Sequence, residues 1–160
     1  MKKYAWLFSM AFVVLVADQA TKAWAHARLL RDRIIFEGDF LELGYAENRA
    51  AALGLFRNVP EQLRVPLFHL VSFGAVVLVL YYAAKLTGAK GERFAKWGLP
   101  LVLGGALGNE CDRLFRGFVI DFVGLHPGGM NFPAFNIADA AIVGGVVLLM
   151  VDALVRPTPR

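Results

Sequence analysis

Cysteine occurs once in the 160 residues, at Cys111, so the chain can form no internal disulfide and no Cys-x-x-Cys metal or redox pair. Histidine is almost as scarce. His26, His69 and His126 are scattered, with no H-E-x-x-H or comparable ligand spacing, and neither a zinc site nor any other metal or cofactor is expected. Charge is thin as well: Asp, Glu, Lys and Arg make up 19% of the chain, against roughly 25% in an ordinary soluble domain. The formal charge of +4 never gathers into a Lys/Arg cluster with interleaved aromatics, which argues against nucleic acid as a partner. Internal repeats and low-complexity segments are absent.

What fills the chain instead is apolar: 58% of it is hydrophobic. A small globule leaves much of its surface in water and cannot hide such an excess. Four long apolar segments carry it, at about residues 4–27, 67–86, 97–114 and 137–155. Each is near the roughly 20 residues that a membrane-spanning helix needs. The expectation is a single all-α polytopic membrane domain with four transmembrane helices. The first segment has a signal-peptide look, with Lys2-Lys3 ahead of it and Ala23-Trp24-Ala25 near its end. Asp18, Lys22 and the three further segments oppose cleavage. Four spans place both termini on one side, together with Lys85, Lys90, Arg93 and Lys96. That side holds five of the six lysines and is expected to be cytoplasmic.

Residues 28–66 then form a large outer loop. Ile34-Ile35-Phe36, Glu37-Gly38-Asp39 and Phe40 to Tyr45 predict strand, tight turn and strand, with Leu41, Leu43 and Tyr45 on one face and Glu42 on the other. Asn58, with Glu61 three residues on, predicts a capped short helix through Val65 lying at the lipid surface. Pro66 would then open the second span. The loop thus reads as a small extracytoplasmic β-sheet cap with an interfacial helix. In the third span Gly104 and Gly108 make a G-x-x-x-G pair. Ala140 with Gly144, and Ala141 with Gly145, repeat the small-residue spacing in the fourth, which predicts close packing of these two helices.

Polar residues break the apolar pattern at one membrane face. With four spans, Asp18, Lys22, Asn109, Asp112, Arg113, Asp121, Asn136 and Asp139 all gather there, whereas Asp152 lies about 20 Å farther along its helix from Asp139. Asp18 with Lys22, and Asp112 with Arg116, are acid–base pairs four residues apart and suit a helix face. Asn136 can cap the fourth span, with Asp139 favoured in its first turn, which accounts for Asp139 without any chemistry. Asp121 has no such structural account: it stands in Val119-Ile120-Asp121-Phe122-Val123 and is followed by Gly124, Pro127, Gly128 and Gly129, which predict loop. Carboxylates in apolar surroundings are costly unless paired or neutralised, and inside a membrane they mark function. Two of them in one dry site share a proton, and such a pair can deprotonate water and protonate a leaving group. The same residues are compatible with a proton or cation carrier, or with a non-catalytic membrane chaperone that holds partners in its outer cap. Only a protease would cleave a lipidated peptide.

The blocks Asp18-Gln19-Ala20-Thr21-Lys22, Asn48-Arg49-Ala50-Ala51-Ala52, Gly104-Gly105-Ala106-Leu107-Gly108-Asn109 with Asp112-Arg113, Val119-Ile120-Asp121-Phe122 and Phe132-Pro133-Ala134-Phe135-Asn136-Ile137-Ala138-Asp139 occur in this order across nearly the whole chain. In this the chain resembles the lipoprotein signal peptidases (signal peptidase II), departing from the family's usual Gly and Phe at Ala50 and Leu53. The resemblance implies an aspartic endopeptidase of the bacterial inner membrane, with Asp121 and Asp139 as the catalytic dyad. It implies cleavage of prolipoproteins just before a diacylglyceryl-modified cysteine. It also implies that Asn48, Gly108, Asn109, Arg113 and Asn136 line or support the substrate site, braced by Asp18 and Lys22. The partners implied are a prolipoprotein and membrane lipid; separately, a monomer is expected.

Overall fold

A computed structural model describes residues 4–32, 34–49, 60–87 and 92–155. Among the described residues the α-helices are α1 (Ala5–Asp32), α2 (Glu61–Lys85), α3 (Arg93–Arg116) and α4 (Ile137–Val155). Strands β1 (Ile34–Glu37) and β2 (Leu41–Asn48) lie between α1 and α2, and β3 (Val119–Leu125) lies between α3 and α4. Among the described residues, α1, α2 and α4 are long and apolar enough to cross a membrane. They leave large apolar side chains exposed, among them Phe8, Phe12, Leu70, Phe73, Leu78, Val143, Val147 and Met150. In water such a surface would be unfavourable, and among lipid chains it costs nothing.

Helix α3 is the exception, and its composition explains why. It holds Asn109, Glu110, Asp112, Arg113 and Arg116, together with glycines, and it packs against α1, α2 and α4. Its small residues serve two neighbours. A Cβ on Gly104 would stand 2.6 Å from the Ala11 carbonyl oxygen of α1, and one on Gly105 would stand 2.5 Å from the Ala138 carbonyl oxygen of α4. The expected close approach of the third and fourth helices is therefore present. It also runs through Gly98 and Gly145, where a Cβ on either would stand 2.7 Å from the other's carbonyl oxygen. Leu7, Val79, Ala83, Leu86, Leu99 and Leu103 form an apolar cluster at the bundle end away from the sheet.

The expected hairpin is present, with Gly38 N–H donating to the Leu41 carbonyl across the turn. Two expectations change. First, the outer sheet has three strands in the order β1-β2-β3, both pairs antiparallel, because residues 119–125 form a strand where a loop was expected. The run Val-Ile-Asp-Phe-Val is β-branched and aromatic enough to pair once β2 offers an edge. Second, α2 is unbroken from Glu61, with Pro66 inside it, so no separate short helix ends at Val65. Proline six residues in forfeits a single backbone bond near the helix start, which costs less than restarting the helix. Asn58 and residues 50–53 lie outside the described residues. Ala25, Leu29, Tyr45, Ile120 and Phe122 cluster where the sheet rests on the end of α1.

Candidate active site

Register brings the polar residues together. Pairing Ala46 with Asp121 and Asn48 with Val119 puts Asn48 diagonally across from Asp121 on one face of the sheet. Asn48 Nδ2 donates to Asp121 Oδ2 at 2.9 Å. On the other side, Phe135 exchanges backbone hydrogen bonds with Val123, which draws the start of α4 against β3. Asn136 Nδ2 then donates to Asp121 Oδ1 at 2.7 Å.

Asn136 also begins α4 as expected. Its Oδ1 accepts from the Asp139 N–H at 3.0 Å, and Asp139 Oδ2 accepts from the Asn136 N–H at 3.3 Å. This reciprocal pair satisfies two N–H groups that a helix start leaves without partners. Asp139 Oδ1 takes a third bond, from Asn109 Nδ2 at 2.8 Å. Asn136 thus joins the two acids: its amide holds Asp121 and its backbone holds Asp139. Asp121 is 2% exposed. Burial first, then the charge of Asp139, push its carboxyl from 3.8 up to about 7, against the pull of the Asn48 and Asn136 hydrogen bonds.

Beneath this pair lies a fully buried charge cluster. Lys22 Nζ meets Asp18 Oδ2 at 2.8 Å, Asn109 Oδ1 at 2.9 Å and Asp112 Oδ2 at 3.0 Å, so each of its three protons has an acceptor. Both acids also reach the backbone beside Asp139 and Asp121, Asp18 through its other oxygen and Asp112 through the same Oδ2 that meets Lys22. Asp18 Oδ1 accepts from the Ala138 N–H at 2.9 Å, and Asp112 Oδ2 accepts from the Ile120 N–H at 3.1 Å. Ala138 precedes Asp139 and Ile120 precedes Asp121. One ion cluster therefore seats both acids through the residue before each. Gln19 Nε2 bridges Asp18, the Gly108 carbonyl and Asp112, while Arg116 Nη1 donates to Asp112 and to Gln19 Oε1. Gly108 is required here, since a Cβ would come within 2.5 Å of Asp18 Oδ2.

An apolar cavity of about 300 Å³ opens beside Asp139, lined by Phe68, Val71 and Ser72 of α2, Val102, Ala106 and Arg113 of α3, and Ile142 and Val143 of α4. Arg113 donates to Ser72 Oγ at 3.4 Å and lies over the Phe68 ring. Every site residue expected from the sequence is therefore in this network or on this cavity: Asp18, Lys22, Asn48, Gly108, Asn109, Arg113, Asp121, Asn136 and Asp139. Asp152 is elsewhere, accepting from the Ala95 N–H at the start of α3. Sequence reasoning missed the reach of Asp112 and Gln19. Asp112 does pair with Arg116 as its spacing suggested, but its bonds to Lys22 on α1 and Ile120 on β3 join separate elements and have no local signature.

A family model described as Signal peptidase (SPase) II matches residues 10–155. The lipoprotein signal peptidase of Aquifex aeolicus (strain VF5) is 39% identical, over 94% of this chain and 87% of the relative. That of Anaeromyxobacter sp. (strain Fw109-5) is 46% identical, over 90% and 82%. Among solved structures, a bacterial membrane enzyme determined by the in meso method at 1.9 Å superposes with a TM-score of 0.77 at 28% identity, over 95% of this chain and 94% of that one. The ordered motifs, the two acids meeting at Asn136 and these likenesses lead to one conclusion: the chain belongs to the signal peptidase II family.

Proposed function

We propose that the protein is an intramembrane aspartic endopeptidase of the bacterial inner membrane. It removes the signal peptide from diacylglyceryl-modified prolipoproteins, cleaving just before the lipidated cysteine. In this reading Asp121 and Asp139 activate water and share one proton. The anionic member takes a proton from water as its oxygen attacks the scissile carbonyl, and the protonated member gives one to the departing amine, so that water and peptide become acid and amine. Asn48, Asn109 and Asn136 hold the carboxyl oxygens. Asp18, Lys22, Gln19 and Asp112 are positioning residues. Arg113 and the apolar cavity bind the substrate. The observation that carries the proposal is the meeting of the two acids, one from a strand and one from a helix start, on Asn136.

α3 serves as the fourth span in this proposal. Its 24 residues reach about 36 Å at 1.5 Å per residue, enough for the hydrocarbon core, and Asp112, Glu110, Arg113 and Asn109 turn toward α1, α2 and α4. The termini are then cytoplasmic and the sheet is periplasmic. The test is cleavage of a lipidated substrate peptide in detergent. Asp121→Asn and Asp139→Asn should each abolish turnover in a folded protein, because the amide keeps size and hydrogen bonding but cannot exchange the proton. Asp152→Asn should stay within a few-fold of the unaltered rate. Near-normal cleavage by Asp139→Asn would leave that residue only its capping role and defeat the mechanism.

A further inference from the structure

At the sheet end of the bundle, α2 meets α3 through two polar contacts set one turn apart. His69 Nδ1 meets Glu110 Oε1, and Ser72 Oγ accepts from Arg113. At the other end α2 is held by apolar packing of Val79, Ala83 and Leu86. Glu110 is anchored narrowly: its Oε2 is buried without a hydrogen-bond partner among the described residues, so the His69 bond is what holds the carboxylate in place. Phe68 and Arg113 line both the 300 Å³ cavity beside Asp139 and a second cavity of about 50 Å³ bounded by His69, Asn48, Arg49 and Phe118. They therefore form the partition between the two. His69 adjoins Phe68 in sequence, and Glu110 lies one turn before Arg113. The His69–Glu110 bond thus ties α2 to α3 beside that partition.

We propose that this bond is a specificity-determining clamp that closes the apolar groove and sets the length of acyl chain accepted beside Asp139. The proposal rests on the endopeptidase reading above. The groove is taken to hold an acyl chain because its α2 and α4 walls include Val71 and Val143, both largely exposed on the apolar flank, so its occupant enters from lipid. Breaking the bond frees the sheet end of α2, merges the cavities and lengthens the groove. Neither residue touches the acids directly, so the effect falls on selectivity.

The experiment measures kcat/KM in detergent for one peptide carrying diacylglyceryl-cysteine with acyl chains from about 8 to about 18 carbons. The unaltered protein, His69→Leu, Glu110→Leu and the double variant are compared. Each single variant should lower the short-over-long preference by about five-fold, and the double variant by no more, as coupled partners require. Glu110→Gln, isosteric and still able to meet the imidazole, should keep most of the preference. If the leucine variants do not insert, His69→Asn, too short to reach Glu110, carries the same comparison. An equal loss of rate at every chain length, or an unchanged preference, overturns the clamp while leaving the endopeptidase standing. No cleavage of any chain length by the unaltered protein overturns both.

Discussion

In the proposed mechanism, a single proton shared between Asp121 and Asp139 would make turnover depend on pH. The folded-state value of about 7 for Asp121 lies above its ordinary 3.8. Between those values the folded protein keeps a proton that the unfolded chain has released, so stability falls as pH rises across that window and levels off above about 7. Turnover should likewise decline as pH passes upward through about 7, when the pair loses the proton needed by the leaving group. A pH–rate profile in detergent checks this, and an alkaline limb placed well above that value would mean that the proton is held elsewhere. Lys22 offers a second test. Among the described residues, Lys22→Met removes the one cation on Asp18 and leaves Asp112 only Arg116, at a cost of about 3–5 kcal/mol, readable as a lower unfolding temperature.

Close helix approach controls where Asp139 stands. Gly105 faces the Ala138 carbonyl, one residue before Asp139, whereas Gly144 on α4 has nothing within 4 Å of its added Cβ. Gly105→Ala should therefore push the start of α4 away from α3, costing about 1–3 kcal/mol and lowering the rate as well. Gly144→Ala should stay within about 0.5 kcal/mol and keep full activity, which separates crowding from helix propensity. Thermal unfolding and cleavage assays on the two variants make the comparison. At the same scale, the Asn136–Asp139 cap was legible because both partners sit within one helical turn. Strand β3 was not, since its pairing with β2 joins residues more than seventy positions apart, as in Asn48 with Asp121.

For the whole molecule, the apolar flanks of α1, α2 and α4 and the basic residues around 85–96 lead to an orientation. A reporter active only outside the cytoplasm should fail when fused after Arg160 and work when inserted near Asn58. The opposite pattern would put the acids on the wrong side for an exported substrate.

The apolar helices, the hairpin, the cap at Asn136, the pairing of Asp18 with Lys22 and the two isolated acids are all legible in the residues. These depend on periodicity, composition and partners a few residues apart. The closing of helices and sheet made residues 119–125 complete the sheet and α2 run through Pro66. It also decided that Asp18 and Asp112 reach Ala138 and Ile120 to seat both acids. Each of those depends on a backbone group or edge supplied from elsewhere in the chain, and whether a buried donor finds its acceptor is settled only when the helices and the sheet have closed around it.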